Sequence, residues 1–302
     1  MLRWLGYIFL ALVVVGAGAY YWLIVESHMP WTGTYKIDIA EVRRLADALP
    51  GDKPSEIRVE TIASGDFPKT AIMAGDTWEQ EGMPMSSYQL VWADHTAIID
   101  TSLQKPPGES FIKMFDAEAY QRMSDALNKT ALIVITHEHL DHIGGLLAQP
   151  NLKQLLAVAK LTKEQLSDER YMQPLKLPKE AFEGYTPFEY DGYAAVAPGV
   201  VLIKAPGHTP GSQLVYVKRA DGQELLFLGD VAWKMRNIDN VRERARLVTW
   251  WFLNEDRDQV MLELAEFKRL KDAEPKLEMM PGHDQDALDH FLSAGFLVKG
   301  FK

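Results

Sequence analysis

The sequence predicts an α/β fold, because short apolar strands and amphipathic helices alternate along it from about residue 56 onward. Strand-like runs cover residues 57–63, 87–92, 96–99, 131–136, 200–204, 214–218 and 224–228. Apolar residues at helical spacing cover residues 116–127, 256–271 and 286–297. The run 131–136 is almost wholly apolar, as expected for a strand in a sheet covered on both faces. With 302 residues, 47% of them hydrophobic, the chain is long enough to bury a full core.

The composition narrows the partners of the protein. The formal net charge is −10, and because phosphate binding requires a cationic surface, this charge argues against a nucleic-acid partner. The sequence has no cysteine, which excludes disulfides and thiolate chemistry and is compatible with an oxidising or a reducing compartment. The composition leaves the substrate and the oligomeric state open.

The first residues predict a membrane anchor. From Trp4 to Val25 there is no charged residue, and as a helix this stretch spans roughly 33 Å, enough to cross a bilayer core of about 30 Å. Aromatic side chains lie toward both of its ends, as is typical of the headgroup region. The alternative is a cleaved secretory signal, with Arg3 as its basic start and Ala17-Gly18-Ala19 as its cleavage site. The apolar run continues beyond that site, which favours an uncleaved, single-pass transmembrane helix over residues 1–26.

The charges around the anchor indicate its orientation. Arg3 and the free amino terminus favour insertion with this terminus inside, which places the main domain outside the cytoplasm, in the periplasm. Lys36, Arg43 and Arg44, on the other side of the anchor, reduce this charge asymmetry. Residues 27–55 are predicted to form a polar linker and a short helix that packs on the main domain, which covers residues 56–302.

A cluster of metal-binding residue types follows the strand-like run. Residues 137–142, His-Glu-His-Leu-Asp-His, place three histidines and an aspartate within six positions. In an extended or loop conformation residues two apart face the same way, so His137 and His139 are expected to converge on one point. Asp141 and His142 are then directed to a second point nearby. Imidazole nitrogens suit zinc, iron or manganese, and a carboxylate supplies an oxygen ligand.

Three further motifs carry the same residue types at the ends of predicted strands. Residues 206–212, Pro-Gly-His-Thr-Pro-Gly-Ser, contain His208 in a turn whose glycines allow a tight backbone, with Ser212 predicted to cap the loop. Asp230 ends the run Phe-Leu-Gly-Asp, and His283 stands in Met-Pro-Gly-His-Asp. Five of the eight histidines lie in residues 137–142 and these three motifs taken together. The other three, predicted to be surface or structural residues, are His28, His95 and His290.

Together, H-x-H-x-D-H, G-H-T-P-G, G-D and G-H in this order resemble the metallo-β-lactamase superfamily over residues 56–302. The resemblance implies a four-layer αββα sandwich with both sheets ending at a two-metal site. It implies that the first metal is held by His137, His139 and His208. It implies that the second is held by Asp141, His142 and His283, with Asp230 bridging the two ions. Asp100, in Ile-Asp-Thr, matches a family aspartate that braces the metal loop by hydrogen bonds.

The resemblance also implies the chemistry. Two divalent ions, zinc or alternatively iron or manganese, would generate a bridging hydroxide that attacks the scissile bond of a small-molecule substrate. Asp141 is the predicted catalytic residue, which orients the nucleophile and passes a proton to the leaving group. Amide cleavage of the β-lactamase type and iron-dependent oxidoreductase chemistry on the same fold are the alternatives.

The residue at position 230 favours ester-type substrates. The aspartate resembles that of the glyoxalase II thioesterases and the lactonases, whereas one major class of β-lactamases has a cysteine there. Quorum-quenching lactonases usually have a tyrosine three residues later, where this chain has Trp233. The segment after Asp230 is predicted either to form an apolar pocket wall or to join the core through Trp233, Met235, Val248, Trp250, Trp251 and Phe252. The same segment contains the cations Arg242, Arg244 and Arg246. They are predicted either to contact an anionic substrate or to form a solvated helix face.

Overall fold

The computed structural model of the protein describes residues 2–104 and 112–302. Its strands form two sheets. They are β1 (Glu56–Pro68), β2 (Gln80–Val91), β3 (Thr96–Ile99), β4 (Ile112–Phe115), β5 (Leu132–Val134), β6 (Tyr193–Ala197), β7 (Val200–Lys204), β8 (Gln213–Lys218), β9 (Glu224–Gly229), β10 (Leu277–Pro281) and β11 (Val298–Lys299).

The first sheet has the strand order β11-β1-β2-β3-β5, with β4 also paired to β1. Its β1–β11 and β3–β5 pairs are parallel, and its other pairs are antiparallel. The second sheet has the order β10-β9-β8-β7-β6, in which only the β9–β10 pair is parallel among the described strands. Each half of the sequence therefore builds one sheet, apart from the short β11 at the edge of the first.

Helices cover the outer faces of these sheets or lie at their edges, except for the first helix, which stands apart from them. They are α1 (Leu2–Tyr20), α2 (Ile39–Ala46), α3 (Lys69–Ile72), α4 (Ala117–Leu127), α5 (Leu140–Leu147), α6 (Leu152–Leu155), α7 (Lys163–Ser167), α8 (Met235–Asp239), α9 (Arg246–Val248), α10 (Arg257–Ala273) and α11 (Gln285–Ser293). Short π-helical turns cover Tyr21–Val25 and Thr249–Leu253, and a 3-10 turn covers Glu169–Met172.

The apolar runs in the strands are explained by burial on both faces. In β7, Val200 and Leu202 join the cluster between the sheets, whereas Val201 and Ile203 pack outward with α2 and α10. On the other side of the sandwich, Ile133 of β5 packs outward with α4 and α5. The layers are therefore helix, sheet, sheet and helix, which confirms the predicted αββα sandwich.

Some strand segments were not indicated by the sequence, because their residues lack the expected apolar pattern. The first two strands extend well past the predicted runs 57–63 and 87–92, because they form one long antiparallel hairpin whose outer part is polar. The edge strand β6 contains three alanines, which have low strand propensity. Pairing in the sheet, not local preference, decides these segments.

The amino-terminal helix stands outside this sandwich. The stretch Arg3–Val25 is a continuous helix of 23 residues, long and apolar enough to cross a membrane, although a signal sequence passes the same test. It is almost entirely exposed, apart from Ile24 at its end. The following helix α2 begins with Asp38 as its N-cap and buries Val42 and Ala46 against the second sheet, as predicted.

Candidate metal centre

The four sequence motifs meet at one edge of the sandwich. The strands β3, β5, β7, β9 and β10 all run toward this edge, and a predicted site residue follows the end of each. Asp141 and His142 lie in the first turn of α5, which begins directly after His139. Residue 282 must be a glycine, since a Cβ atom there would collide with the carboxylate of Asp230.

The first group of side chains brings three imidazoles and one carboxylate together. Nε2 of His137 and Nε2 of His208 each lie 3.0 Å from Nδ1 of His139. Oδ2 of Asp230 lies 3.7 Å from the same atoms of His137 and His208. Two imidazoles that bind one zinc ion at 2.0–2.1 Å in a tetrahedron have nitrogens about 3.3 Å apart. The spacing in this group is close to that value.

The second group lies directly beside the first and shares Asp230 with it. Nε2 of His283 lies 3.4 Å from Oδ2 of Asp141 and 3.1 Å from Oδ2 of Asp230. Nε2 of His142 lies 3.9 Å from Oδ2 of Asp141 and 3.2 Å from Oδ1 of Asp230. Within each group, the candidate ligand atoms all lie within 4.8 Å of one another. The structure therefore brings all seven predicted ligand residues together.

Asp100 holds the second group from behind. Its Oδ1 accepts a 2.6 Å hydrogen bond from the backbone N–H of Thr136, and its Oδ2 accepts a 2.8 Å bond from the hydroxyl of Thr136. Oδ2 also lies 2.7 Å from Nδ1 of His142. Because a carboxylate only accepts, Nδ1 carries the proton and Nε2 is left as a free ligand nitrogen. These are the bonds expected of a residue that braces the metal loop.

Glu255, which the sequence did not indicate, contacts a histidine of the first group as Asp100 contacts His142 of the second. Its Oε2 lies 2.8 Å from Nδ1 of His208 and accepts a 2.5 Å bond from Nη2 of Arg244. The same nitrogen of Arg244 donates to the backbone carbonyl of Asp230 at 2.6 Å. Burial opposes the charge on Glu255, but the guanidinium of Arg244 and the imidazole of His208 together outweigh it and hold the pKa of this carboxyl below its ordinary value. No motif spacing connects Glu255 to His208, which lies 47 residues away.

Two more contacts orient ligands. Trp233 donates its indole N–H to Oδ2 of Asp230 at 2.7 Å. Nδ1 of His283 donates to the backbone carbonyl of Pro84 at 2.8 Å, so its Nε2 is also free. A backbone acceptor of this kind leaves no trace in the sequence.

Glu138 ties two of the motif loops together. It accepts a 2.8 Å bond from the hydroxyl of Thr209 and a 3.2 Å bond from the N–H of Gly211. Its burial raises its pKa to about 7. Ser212 accepts from the N–H of Thr209 at 3.0 Å, which confirms its predicted role as a cap of this loop.

The electrostatics of the seven side chains suit cations. Burial holds the pKa of His137 and His139 well below its ordinary value, which leaves neutral imidazoles as metal binding requires. Burial opposes the charge on His142, yet the carboxylates of Asp230 and Asp100 hold its pKa well above the ordinary value. The second group thus has an excess of negative charge that attracts a positive one.

Two buried polar atoms of the candidate ligands also indicate a site for cations. Nε2 of His142 and Oδ1 of Asp230 are buried and lie 3.2 Å apart, but not in the geometry of a hydrogen bond, and neither has another hydrogen-bond partner among the described residues. Buried polar atoms are rarely left unpaired, because each costs about 1–3 kcal/mol. The donor set of five imidazoles and two carboxylates, without sulfur, fits two zinc, iron or manganese ions.

A cavity of about 550 Å³ opens over these groups. Its floor includes His139, Asp141, Asp230 and His283. Its walls are mostly apolar and include Phe67, Met83, Met85, Leu140, Trp233 and Leu253. Ligand pockets commonly combine this size, an apolar wall and a few convergent polar groups.

The segment after Asp230 contributes to this cavity only in part. Trp233 and Phe252 line it, whereas Trp250 and Trp251 are 57% and 87% exposed and lie outside the lining. The prediction of a solvated helix face for the arginines is wrong, because residues 242–245 are not helical and Arg244 is buried and bound to Glu255. The other two, Arg242 and Arg246, bind the end of the amino-terminal helix.

The fold and site agree with a family model. Residues 86–283 match the model of the metallo-beta-lactamase superfamily, about two-thirds of the chain. The chain belongs to this superfamily.

Curated relatives are similar over a shorter stretch. An N-acyl homoserine lactonase from Bacillus sp. is 31% identical over 108 residues, which are 36% of this chain and 41% of that protein. An N-acyl homoserine lactonase from Bacillus thuringiensis is 28% identical over the same length. The chain thus matches less than half the length of these relatives.

Solved structures are similar over most of the chain. An N-acyl homoserine lactone hydrolase with N-hexanoyl-L-homoserine bound at its metal centre has a TM-score of 0.58 at 18% identity, covering 79% of this chain and 96% of that one. A probable metal-dependent hydrolase from Staphylococcus aureus has a TM-score of 0.54 at 12% identity, covering 77% and 91%. At these identities the likeness shows the fold.

Proposed function

We propose that this chain is a membrane-anchored hydrolase that uses two divalent metal ions to cleave a lactone, ester or thioester bond in a small-molecule substrate. The observation that carries the proposal is the pair of ligand groups that share Asp230 at the floor of one apolar cavity. In this proposal residues 1–26 are the anchor, residues 27–55 the linker and short helix, and residues 56–302 the hydrolase domain on the extracytoplasmic side.

The ligand assignment follows the two groups. His137, His139 and His208 would hold the first ion, and Asp141, His142 and His283 the second, with Asp230 between them. Imidazole and carboxylate ligands suit zinc, iron or manganese, and zinc is the metal proposed here. Asp100, Glu255 and the carbonyl of Pro84 would keep the free nitrogens of three of these imidazoles directed at the ions.

When bound, the metal pair supplies a water molecule of lowered pKa and polarises the scissile carbonyl. Asp141 is in position to assist, since it lines the cavity and its side chain is 21% exposed. With Oδ2 directed at His283, the other oxygen of Asp141 is available to orient the nucleophile and then to carry a proton to the leaving group.

The relatives favour a lactone among the ester-type bonds, since those from Bacillus are N-acyl homoserine lactonases. Trp233 gives no support for assigning one particular lactone as the substrate. Its only polar hydrogen is donated to Asp230, so it does not replace a tyrosine hydroxyl that would face the substrate. The class of bond, not one lactone, is therefore proposed.

Metal analysis of the purified full-length chain, with a hydrolysis panel, tests the proposal. The panel contains γ-butyrolactone, 4-nitrophenyl acetate, an acyl thioester and nitrocefin. We expect about two zinc ions per chain and hydrolysis of ester-type bonds, with the rate lowered about 100-fold or more by His208→Ala and by Asp141→Asn. His290→Ala, in which an exposed histidine of α11 is replaced, is the matched control and should retain full activity. Protein without stoichiometric metal, or hydrolysis of nitrocefin alone, would contradict the proposal.

A further inference from the structure

The end of the amino-terminal helix is fixed to the segment that forms one wall of the cavity. Trp22 packs edge-on against Trp250, with ring centroids 4.9 Å apart. The guanidinium of Arg246 lies 4.9 Å from the ring of Trp22 and 5.7 Å from that of Trp250, and Arg246 is ion-paired with Glu26. The position of the helix end relative to the cavity is therefore defined by several contacts.

Further bonds make this attachment rigid. Arg242 donates to the carbonyl of Val25 at 2.7 Å, and the N–H of Gly75 donates to the carbonyl of Ile24 at 2.8 Å. The hydroxyl of Ser27 donates to Glu243 at 2.6 Å. Bonds from separate segments thus converge on residues 24–27 and hold the helix end against the domain.

Exposed aromatic residues from the helix end and from the turn Thr249–Leu253 lie at this attachment. We call this group the juxtamembrane face, and its residues are Tyr21, Trp22, Trp250, Trp251 and Phe252. Their exposed fractions range from 43% to 87%. Soluble proteins rarely expose large apolar patches, and tryptophan and tyrosine are enriched where a protein meets the membrane–water interface. If α1 spans the bilayer, its end at Tyr21 and Trp22 places this face at the interface.

The juxtamembrane face continues into the cavity over the metal ligands. Phe252 is 69% exposed on the face and also lines the cavity. The next residue, Leu253, is buried and packs with Met83 and Trp233 of the cavity wall. One short π-helical turn, Thr249–Leu253, thus has its exposed side on the face and its last residues at the cavity.

We propose that this turn lies in the bilayer interface and that the substrate is a membrane-resident amphiphile with a long acyl chain. This proposal rests on the proposed function, since it assigns the substrate of the same site. The acyl chain would pass along Phe252 into the apolar part of the cavity, with the ester-type bond near its head at the floor beside Asp141 and His283. A substrate dissolved in the bilayer would then reach the site without crossing bulk water.

Site-specific labels test the position of the turn. The chain has no cysteine, so Trp251→Cys creates a unique site for an environment-sensitive fluorophore. Ala93→Cys is the control, because this exposed residue lies in the turn before β3, at the opposite edge of the sandwich from the metal centre. In full-length protein in phosphatidylcholine vesicles, a doxyl-labelled lipid should quench the label at position 251 and leave the label at position 93 bright. Equal quenching at the two positions, or none at position 251, would overturn the proposal.

Paired substrates test delivery from the bilayer. The pairs share a reacting bond and differ in chain length: 4-nitrophenyl acetate with 4-nitrophenyl myristate, and γ-butyrolactone with γ-dodecalactone. For the long-chain member in vesicles, Trp251→Ser should lower the rate about fivefold, while the rate on the soluble short-chain member stays unchanged. Trp31→Ser, at a 97% exposed tryptophan outside the juxtamembrane face and the cavity lining, is the control and should change neither rate.

The outcomes separate this proposal from the proposed function. A metal-loaded wild type that cleaves none of these four substrates and no ester-type bond of the earlier panel contradicts the hydrolase, and the labels still decide whether the turn lies in the interface. Short-chain cleavage with no cleavage of the vesicle-borne partner, or a Trp251→Ser variant with an unchanged vesicle rate, overturns delivery from the bilayer while the hydrolase stands.

Discussion

Two carboxylates contact candidate ligand imidazoles on the two sides of the candidate metal centre, and the molecule holds them in different ways. Asp100 bonds to Thr136 and His142 of a single neighbouring segment, with no lysine or arginine partner among the described residues. Glu255 bonds to His208 and to the buried guanidinium of Arg244, which also binds the carbonyl of Asp230. The first contact is local to adjacent strand ends, whereas the second joins three segments through a buried ion pair. Loss of either carboxylate should disturb metal binding. Only loss of Glu255 should also leave a buried charge, that of Arg244, without its partner.

The largest effect is expected for Asp100→Asn. The amide keeps one acceptor for the N–H of Thr136, but its NH₂ group cannot accept from His142 and the hydroxyl of Thr136. We expect the affinity for one of the two metal ions to fall about 100-fold, with a comparable loss of hydrolysis. Titration of metal-free protein with zinc measures this, and unchanged binding of both ions would refute the role given to Asp100.

A smaller loss of activity, with a larger loss of stability, is expected for Glu255→Gln. The variant leaves Arg244 buried without its partner, which should cost about 3–5 kcal/mol of unfolding free energy, and should weaken metal binding roughly tenfold.

The double variant Glu255→Gln/Arg244→Met sharpens the comparison. Without the cation, most of the unfolding free energy should return, while metal affinity stays low, because the imidazole of His208 still lacks a charged acceptor. Denaturant unfolding and zinc titration separate the two quantities. Full recovery of metal affinity would mean that Glu255 only balances the charge of Arg244.

Trp233→Phe should have a modest effect. It keeps the aromatic ring in the cavity wall and removes the hydrogen bond to Oδ2 of Asp230. One bond of this kind corresponds to roughly a threefold to tenfold decrease in activity. Steady-state kinetics with the best substrate of the panel measure it, and the unfolding midpoint should remain close to that of the wild type.

The smallest effect, visible only in its pH dependence, concerns a third buried carboxyl. Glu263 accepts from the N–H of Gly207, next to His208, at 3.1 Å and has no cation partner in the part of the chain that the structure describes. Burial raises its pKa to about 8 from the ordinary 4.5. Its stabilising contribution is therefore complete below pH 4.5 and is lost as the pH rises through about 8.

Glu263→Gln removes this loss. As the pH rises from 5 to 9, the melting temperature of the variant should increase relative to that of the wild type. The reason is that the wild type must either ionise a buried carboxyl or keep it protonated. Melting curves across this range check the prediction, and a difference in melting temperature that does not change with pH would contradict it.

Much of the metal centre was predictable because ligands of this kind lie directly after strands. The motif around His137 and the later His208, Asp230 and His283 each follow an apolar run, and strands of two sheets that end at one edge bring such residues together. Glu255 could not be found in this way. It precedes α10 in an irregular segment, and its residue type is common on protein surfaces.

The αββα arrangement of the layers was expected only from the resemblance of the motifs to a known family. The sequence by itself determined that the fold is α/β, which residues are candidate ligands and that its first residues are long and apolar enough to span a membrane. These properties depend on local periodicity and on residue types that have few other uses. Only the tertiary structure decided that Arg244 is a buried partner of Glu255, that Trp233 bonds to Asp230, and that Trp250 packs on the helix end beside the cavity. Those contacts join segments far apart in the chain, and local preference contains no information about which distant side chain a buried group will meet.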